Sequence, residues 1–270
     1  MPSSHRFRRV LHLSSLIIVL LLTCTWLLLY LDSVHQRRNA ERFISELQSF
    51  PFAAAAFVDV RDLVNRHGGT SIEQFPNWRT PRPGLPSPPT QGPVQIPSVE
   101  GGPTCTDRYC VFEVSIRPHV LDLPLEYPAK VHLMSLLVYS GIRPWAVYAT
   151  FEVKDGKLDS SRTTIGQLRK SEPDGPWVGM VPLEYTIHTS AHQTWYRSDY
   201  TVGASADNLS ARNFLSAWIT QSSDAPMKRA FDVDLHCFGG VWRSCTGFSE
   251  LAPSACKDHQ SELEHRDRHN

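Results

Sequence analysis

The sequence predicts an α+β protein held to a membrane: an N-terminal transmembrane helix, a membrane-near helical pair, a Pro-rich linker and an antiparallel β-sheet domain with one later helix. Three observations carry this reading. Residues 10–31 form one apolar run without Asp, Glu, Lys or Arg. Nine of the 20 prolines crowd between Pro76 and Pro103. Beyond residue 105, apolar and polar residues alternate with the period of two that half-buried strands require.

Composition sets the outer limits. With 270 residues, 41% hydrophobic and 20% charged, the chain reads as a folded protein of one or two domains. Basic and acidic side chains number 27 each, but Arg6, Arg8 and Arg9 stand in the first nine residues, leaving 24 basic against 27 acidic in the part that must fold. Phosphate binding needs clustered cations, so no nucleic-acid partner is expected.

The run from Val10 to Leu31 has 22 residues. At about 1.5 Å rise each it reaches roughly 33 Å, enough to cross a hydrocarbon core of about 30 Å. A cleaved leader has a shorter apolar stretch ending at small residues, whereas this one ends at Tyr30-Leu31-Asp32. A lipidated Cys24 would follow Thr23 and leave apolar residues beyond it, a poor fit. Arg6, Arg8 and Arg9 before the span are matched by Arg37, Arg38 and Arg42 after it. The acid-free flank of the first span, and five of six cysteines beyond it, favour residues 1–9 as a cytoplasmic tail with the bulk outside the cytoplasm.

Residues 32–69 read as helical. Ala40, Phe43, Ile44 and Leu47 recur at the spacing of one helical face up to Pro51, and a second helix carries Phe57, Val60 and Val64 before Gly68-Gly69. Residues 70–104 read as an extended spacer, whose Pro83 to Pro89 stretch matches proline-module ligands only as any such spacer does. Residues 105–256 form the predicted domain. Strands are expected at Cys110–Ile116, at Val147–Val153 with a hairpin at Asp155-Gly156, and at 177–188, 194–202 and 212–221, Pro182 marking an edge or bulge. Ser222-Ser223-Asp224 ahead of Pro226 starts a helix on which Met227, Ala230, Phe231, Leu235 and Phe238 share a face. Residues 257–270, with Leu263 as the one large apolar residue, read as a disordered tail.

Two short cysteine loops punctuate the domain. Cys105 with Cys110 and Cys237 with Cys245 are simplest as local disulfides, which leaves Cys256 over. A zinc site drawn from His236, Cys237, Cys245 and Cys256 is the lesser alternative. The Cys-x4-Cys loop leading into alternating apolar residues, then a helix with Lys228 and Arg229 ending in Leu235-His-Cys237, with Cys245 after a Gly-containing loop, resembles uncharacterised single-span membrane proteins of acidobacterial type. The resemblance covers residues 1 to 250 loosely, and this chain departs from it in its long Pro-rich stretch. It implies a location and a disulfide pattern, and no activity.

Other constellations carry little. His188 and His192 have i, i+4 spacing but lack the glutamate of a zinc helix and sit among strand formers. His259, His265 and His269 read as solvated. Asp232 and Asp234 would diverge on a helix by about 200°. Ser254 and Lys257 match SxxK without its companion motifs. Trp145, Trp177, Trp195 and Trp218 fall on or near strands, where packing is expected before carbohydrate stacking. The expected function is a non-catalytic, membrane-anchored extracytoplasmic binding or structural domain without cofactor. Its expected partners are the lipid bilayer, through residues 10–31, and an envelope protein or polymer. The alternative is a small envelope hydrolase whose site is not recognisable from sequence.

Overall fold

The computed structural model describes residues 3–72, 105–170, 180–190, 195–200, 213–238 and 245–267. The chain opens with one helix, α1 (Ser3–Ser49), that does not stop where the apolar run stops. No Pro or Gly stands between Pro2 and Pro51, so no residue there breaks it. Its stretch from His12 is long and apolar enough to cross a membrane and is not buried by the rest of the protein. Its last turns press Ala40, Phe43, Ile44 and Leu47 into the core at 0 to 4% exposure. The segments that the sequence divides at residue 31 are thus one helix, part of which belongs to the core.

Helix α2 (Phe57–Arg66) follows, with Asp59 accepting the Ala56 N–H at 2.9 Å at its start. It ends at Gly68, whose φ of +67° is the left-handed stop the Gly-Gly pair predicts. Gly69 is needed for a different reason. A Cβ there would lie 2.4 Å from the Glu113 carbonyl oxygen and 2.7 Å from a Val64 methyl, because helix and sheet meet at this point.

The sheet has seven strands: β1 (Thr70–Ile72), β2 (Tyr109–Ile116), β3 (Trp145–Lys154), β4 (Lys157–Lys170), β5 (Met180–Ser190), β6 (Trp195–Tyr200) and β7 (Asn213–Thr220), in the order β1-β2-β3-β4-β5-β7-β6. Neighbours from β1 to β5 run antiparallel, and β3 turns into β4 through Asp155 (φ 48°) and Gly156 (φ 75°). Positive φ at both central residues is what a tight hairpin needs, as Asp-Gly predicts. The sheet is not wholly antiparallel, however. β6 takes the edge and β7 returns between it and β5, so β5 and β7 run parallel and the sheet is mixed. Pro182 stands opposite Leu168 of β4, one residue before the first described pair with β7, Leu183 and Asn213.

One face of this sheet carries Phe112, Val114, Val147, Phe151, Ile165, Tyr185, Ile187, Leu215 and Ile219, all buried. They share a single core with Phe43 and Leu47 of α1 and with Val60 and Leu63 of α2. The last turns of α1, α2 and the sheet are therefore one packed body. Ile72 pairs with Val111, and Cys105 lies in contact with the same core. Thr70–Ile72, the first residues of the stretch read as a spacer over 70–104, are thus paired in the sheet; residues 73–104 lie outside the described residues.

The later helices differ from the single one expected. α3 (Tyr127–Tyr139) follows a 3-10 turn at His119–Asp122 and has no counterpart in the sequence reading. α4 (Asp224–Ala230) is shorter than predicted. Asp234 accepts the His236 backbone N–H at 2.8 Å, a local turn that competes with helix, yet Phe231, Leu235 and Phe238 still reach the core. α5 (Phe248–Leu251) and α6 (Pro253–Asp267) close the chain, so residues assigned to a tail are helical as far as Asp267, and Ala255 anchors them in the core.

Candidate functional site

A cleft of about 530 Å³ opens where α1, the end of α2 and the end of β2 converge. Gln36, Asn39, Arg42 and Glu46 of α1 line one wall, a stripe flanking the buried face of the same helix. Arg66 and His67 close it from the end of α2, and Ser115, Arg117, His119 and Asp122 from β2 and the turn that follows. By helix rise, the α1 wall begins about 7 Å beyond the last apolar residue, Leu31.

The charges in the cleft are partly matched. Glu46 pairs with Arg66 at 2.9 Å and with His67 at 3.2 Å. Burial raises the Glu46 pKa, but the bonds from Arg66 and His67 outweigh that effect and leave its carboxyl more acidic than usual. Arg117 and Asp122 pair at 2.6 Å. Arg42 is exposed and forms no ion pair with another described residue. Arg42, Arg66 and Arg117 stand against the Glu46 and Asp122 carboxylates of the lining and the Asp32 carboxylate on His119, so the formal charges balance with both histidines neutral. Arg42 is the cation of the lining left open to a carboxylate, sulfate or phosphate group.

Asp32, the first residue beyond the apolar run, ties this end of the cleft to the span. Its carboxylate accepts the His119 backbone N–H at 2.8 Å and lies 2.6 Å from ring Nδ1. The hydrogen bond from Asp32, and then its charge, hold His119 protonated to higher pH than an ordinary imidazole. The resulting stabilisation is complete below the ordinary histidine value of about 6.5 and is lost as pH rises through the folded value. Nearby, the Trp145 indole N–H donates to Ser33 Oγ at 3.0 Å, both residues buried, which fixes the start of β3 against α1.

The two cysteine pairs stand as the sequence predicts. Cys105 and Cys110 are joined with Cα atoms 4.8 Å apart, and Cys237 and Cys245 with Cα atoms 4.9 Å apart. Cys24 and Cys256 are free. The second pairing removes two sulfurs from the alternative zinc set. Each loop has a structural task. Asp155 and Gly156, in the hairpin turn, donate their N–H groups to the carbonyls of Arg108 and Asp107 inside the first loop, at 2.9 and 2.6 Å. Gln167, 2% exposed, donates to the Cys237 carbonyl at 3.1 Å and accepts the Cys245 N–H at 2.9 Å, clamping the second. Arg37 adds a bond to the Phe238 carbonyl at 3.2 Å and reaches Glu41 at 3.3 Å.

The other residues singled out by sequence do not converge. His188 lies on β5, stacked on Trp218 with ring centroids 3.9 Å apart; His192 lies outside the described residues. Burial, and then the Arg162 charge, lower the His188 pKa to about 4. Asp232 accepts from Ser254, whereas Asp234 bonds His236 at 2.7 Å, so the two acids serve separate partners. Trp145 is a core residue at 2% exposure. Trp177, His269 and the Pro83 to Pro89 stretch lie outside the described residues. The cleft residues were missed because they are scattered over nearly 90 positions; the trio Arg37, Arg38 and Arg42 after the span was the one signal in the sequence.

Fold and cleft together define a class: a mixed-sheet α+β protein whose long apolar N-terminal helix continues into its core and flanks a cleft lined by charged side chains. No family model matches the chain, and neither the curated proteins nor the solved structures contain a match to it.

Proposed function

We propose that the protein is a non-catalytic, membrane-anchored extracytoplasmic domain that binds an acidic group of an envelope partner in the cleft beside α1. The observation that carries this is Arg42, an exposed cation without an ion-pair partner among the described residues, set in a cleft where Arg66, Arg117 and His119 are each matched by a carboxylate. Two disulfides fit an oxidising compartment. The proposed orientation has the N-terminus in the cytoplasm and the sheet outside. Its support is that Arg37, one of the arginines beyond the span, is held by Glu41 and by the second cysteine loop and so serves the fold. The SxxK form of the hydrolase alternative needs Lys257 as the base on Ser254, whereas the Ser254 hydroxyl donates to Asp232.

The test uses the full chain in neutral-lipid nanodiscs and a fluorescent polyglutamate peptide as probe. Binding is expected to weaken with salt and to fall about tenfold in Arg42→Glu, the size of one lost charge contact of about 1.4 kcal/mol. Lys157→Glu, exposed at the β3 to β4 turn and so at the end of the strands away from Ile116 and the cleft, is expected to bind as the parent does. Equal loss in both variants, or none in Arg42→Glu, would contradict the assignment.

A further inference from the structure

We infer that α3 and the turn before it form a second membrane contact, a monotopic element lying in the outer lipid interface beside the span. The inference rests on the proposed anchoring of α1 and adds to it a depth and a second point of attachment. The sequence of α3, YPAKVHLMSLLVY, is mostly apolar, and its polar side chains, Lys130, His132 and Ser135, do not gather on one face as they do on a helix that seals a soluble core. Instead of joining the main core, Leu121, Leu137 and Ile142 form a small separate cluster, against which Leu133 and Met134 pack together with Trp26 and Leu29 of α1.

Those last two residues decide the occupant. Trp26 and Leu29 lie inside the apolar run, about 3 to 8 Å short of its end by helix rise. Whatever packs on them shares their depth, and a helix is about 10 Å across. With residues 10–31 in a bilayer, α3 sits at the boundary between acyl chains and headgroups. The exposed surface agrees. Beyond residue 31, six large apolar side chains are exposed among the described residues; four of them, Leu123, Leu125, Leu136 and Tyr139, belong to this segment, with Leu136 at 66%. At the same level of α1, Leu27, Leu28 and Leu31 are exposed at 48 to 67% on the sides turned away from that cluster. Trp26 and Tyr30 stack 6.0 Å apart beside them, the aromatic pairing favoured at a membrane interface. Arg143 donates to the Val138 carbonyl at 2.7 Å and Ser140 to the Leu137 carbonyl at 2.8 Å, so carbonyls at the helix end are satisfied without water.

Lipid-quenching spectroscopy on the full chain tests this. In a Cys24→Ser, Cys256→Ser background, single cysteines at Leu20, Leu123, Leu136 and Val58 carry an environment-sensitive dye, and the protein is placed in nanodiscs with nitroxide-labelled phosphatidylcholine. Val58 is exposed on α2, whose start bonds the hairpin turn at the end of β3 far from Ser33, and serves as the membrane-distant control. The expected result is quenching at Leu123 and Leu136 at least half that at Leu20, with none at Val58. Quenching at Leu20 with Leu136 and Leu123 as dark to lipid as Val58 would overturn the second contact and leave the span standing. No quenching at Leu20 would overturn the span and this inference together. All labelled sites are exposed in the structure, and an unchanged thermal melt verifies that each variant folds.

Discussion

Gln167 shows how much of this fold rests on single polar side chains placed inside it. Its amide is buried in the sheet face and serves two backbone groups of the second cysteine loop, the Cys237 carbonyl and the Cys245 N–H. Gln167→Leu keeps the bulk and leaves both groups unpaired, which should cost about 2–4 kcal/mol. Chemical denaturation checks this; a loss below about 1 kcal/mol would mean that the loop is held by its disulfide and apolar contacts alone. His188 makes a prediction of opposite electrostatic character to His119. Because burial and Arg162 depress its pKa to about 4, the folded protein refuses a proton that the unfolded chain accepts below about 6.5. Stability should therefore fall as pH drops from about 6.5 to about 4. His188→Phe, which keeps a ring on Trp218, should flatten that part of the Tm against pH curve, and an unchanged slope would place the acid sensitivity elsewhere.

At the scale of elements, residue spacing foretold faces far better than neighbours. Ala40, Phe43, Ile44 and Leu47 were legible as a buried stripe, and Val147, Ala149, Phe151 and Val153 as an inward strand face, since 3.6 and 2 residue periods follow from backbone geometry. The parallel pairing of β5 with β7 was not legible, because alternation fixes which side a residue faces and says nothing about which strand lies beside it. α3 was invisible to a search for amphipathic periods, because Lys130, His132 and Ser135 do not share one face. α4 was overextended because Asp234 turns the backbone onto itself. The cysteine loops were legible because their partners are close in sequence, and the structure gives the first of them a further task in capping the β3 to β4 turn. Replacing Cys105 and Cys110 by Ser should accelerate hydrogen exchange of the Asp155 and Gly156 amides, whose acceptors lie in that loop. Unchanged protection would show that the loop keeps its shape without the bridge.

For the whole molecule, the sequence suggested an anchor, a spacer and a domain, and the structure has one body instead. The stretch read as a spacer over 70–104 begins inside the sheet, since Thr70–Ile72 pair with β2, and the rest of it lies outside the described residues. The cleft could not be seen in the sequence at all, since Arg42, Arg66 and Arg117 become neighbours only when α1 and α2 pack on β2. The consequence is mechanical. Because α1 carries both the apolar run and Phe43 and Leu47 of the core, any tilt of the span is a tilt of the sheet, and the cleft is held at a fixed height above residue 31. A hinge between anchor and domain would dissolve that relation. Spin labels at Leu20→Cys and Ser45→Cys, in the Cys24→Ser, Cys256→Ser background and in nanodiscs, measure it by electron-electron dipolar spectroscopy. One continuous helix predicts a single narrow distance distribution centred at about 37 Å between the two backbone sites, from 25 steps of about 1.5 Å; a broad distribution, or a centre shorter by about 10 Å or more, would show a break near residue 32 and contradict the account.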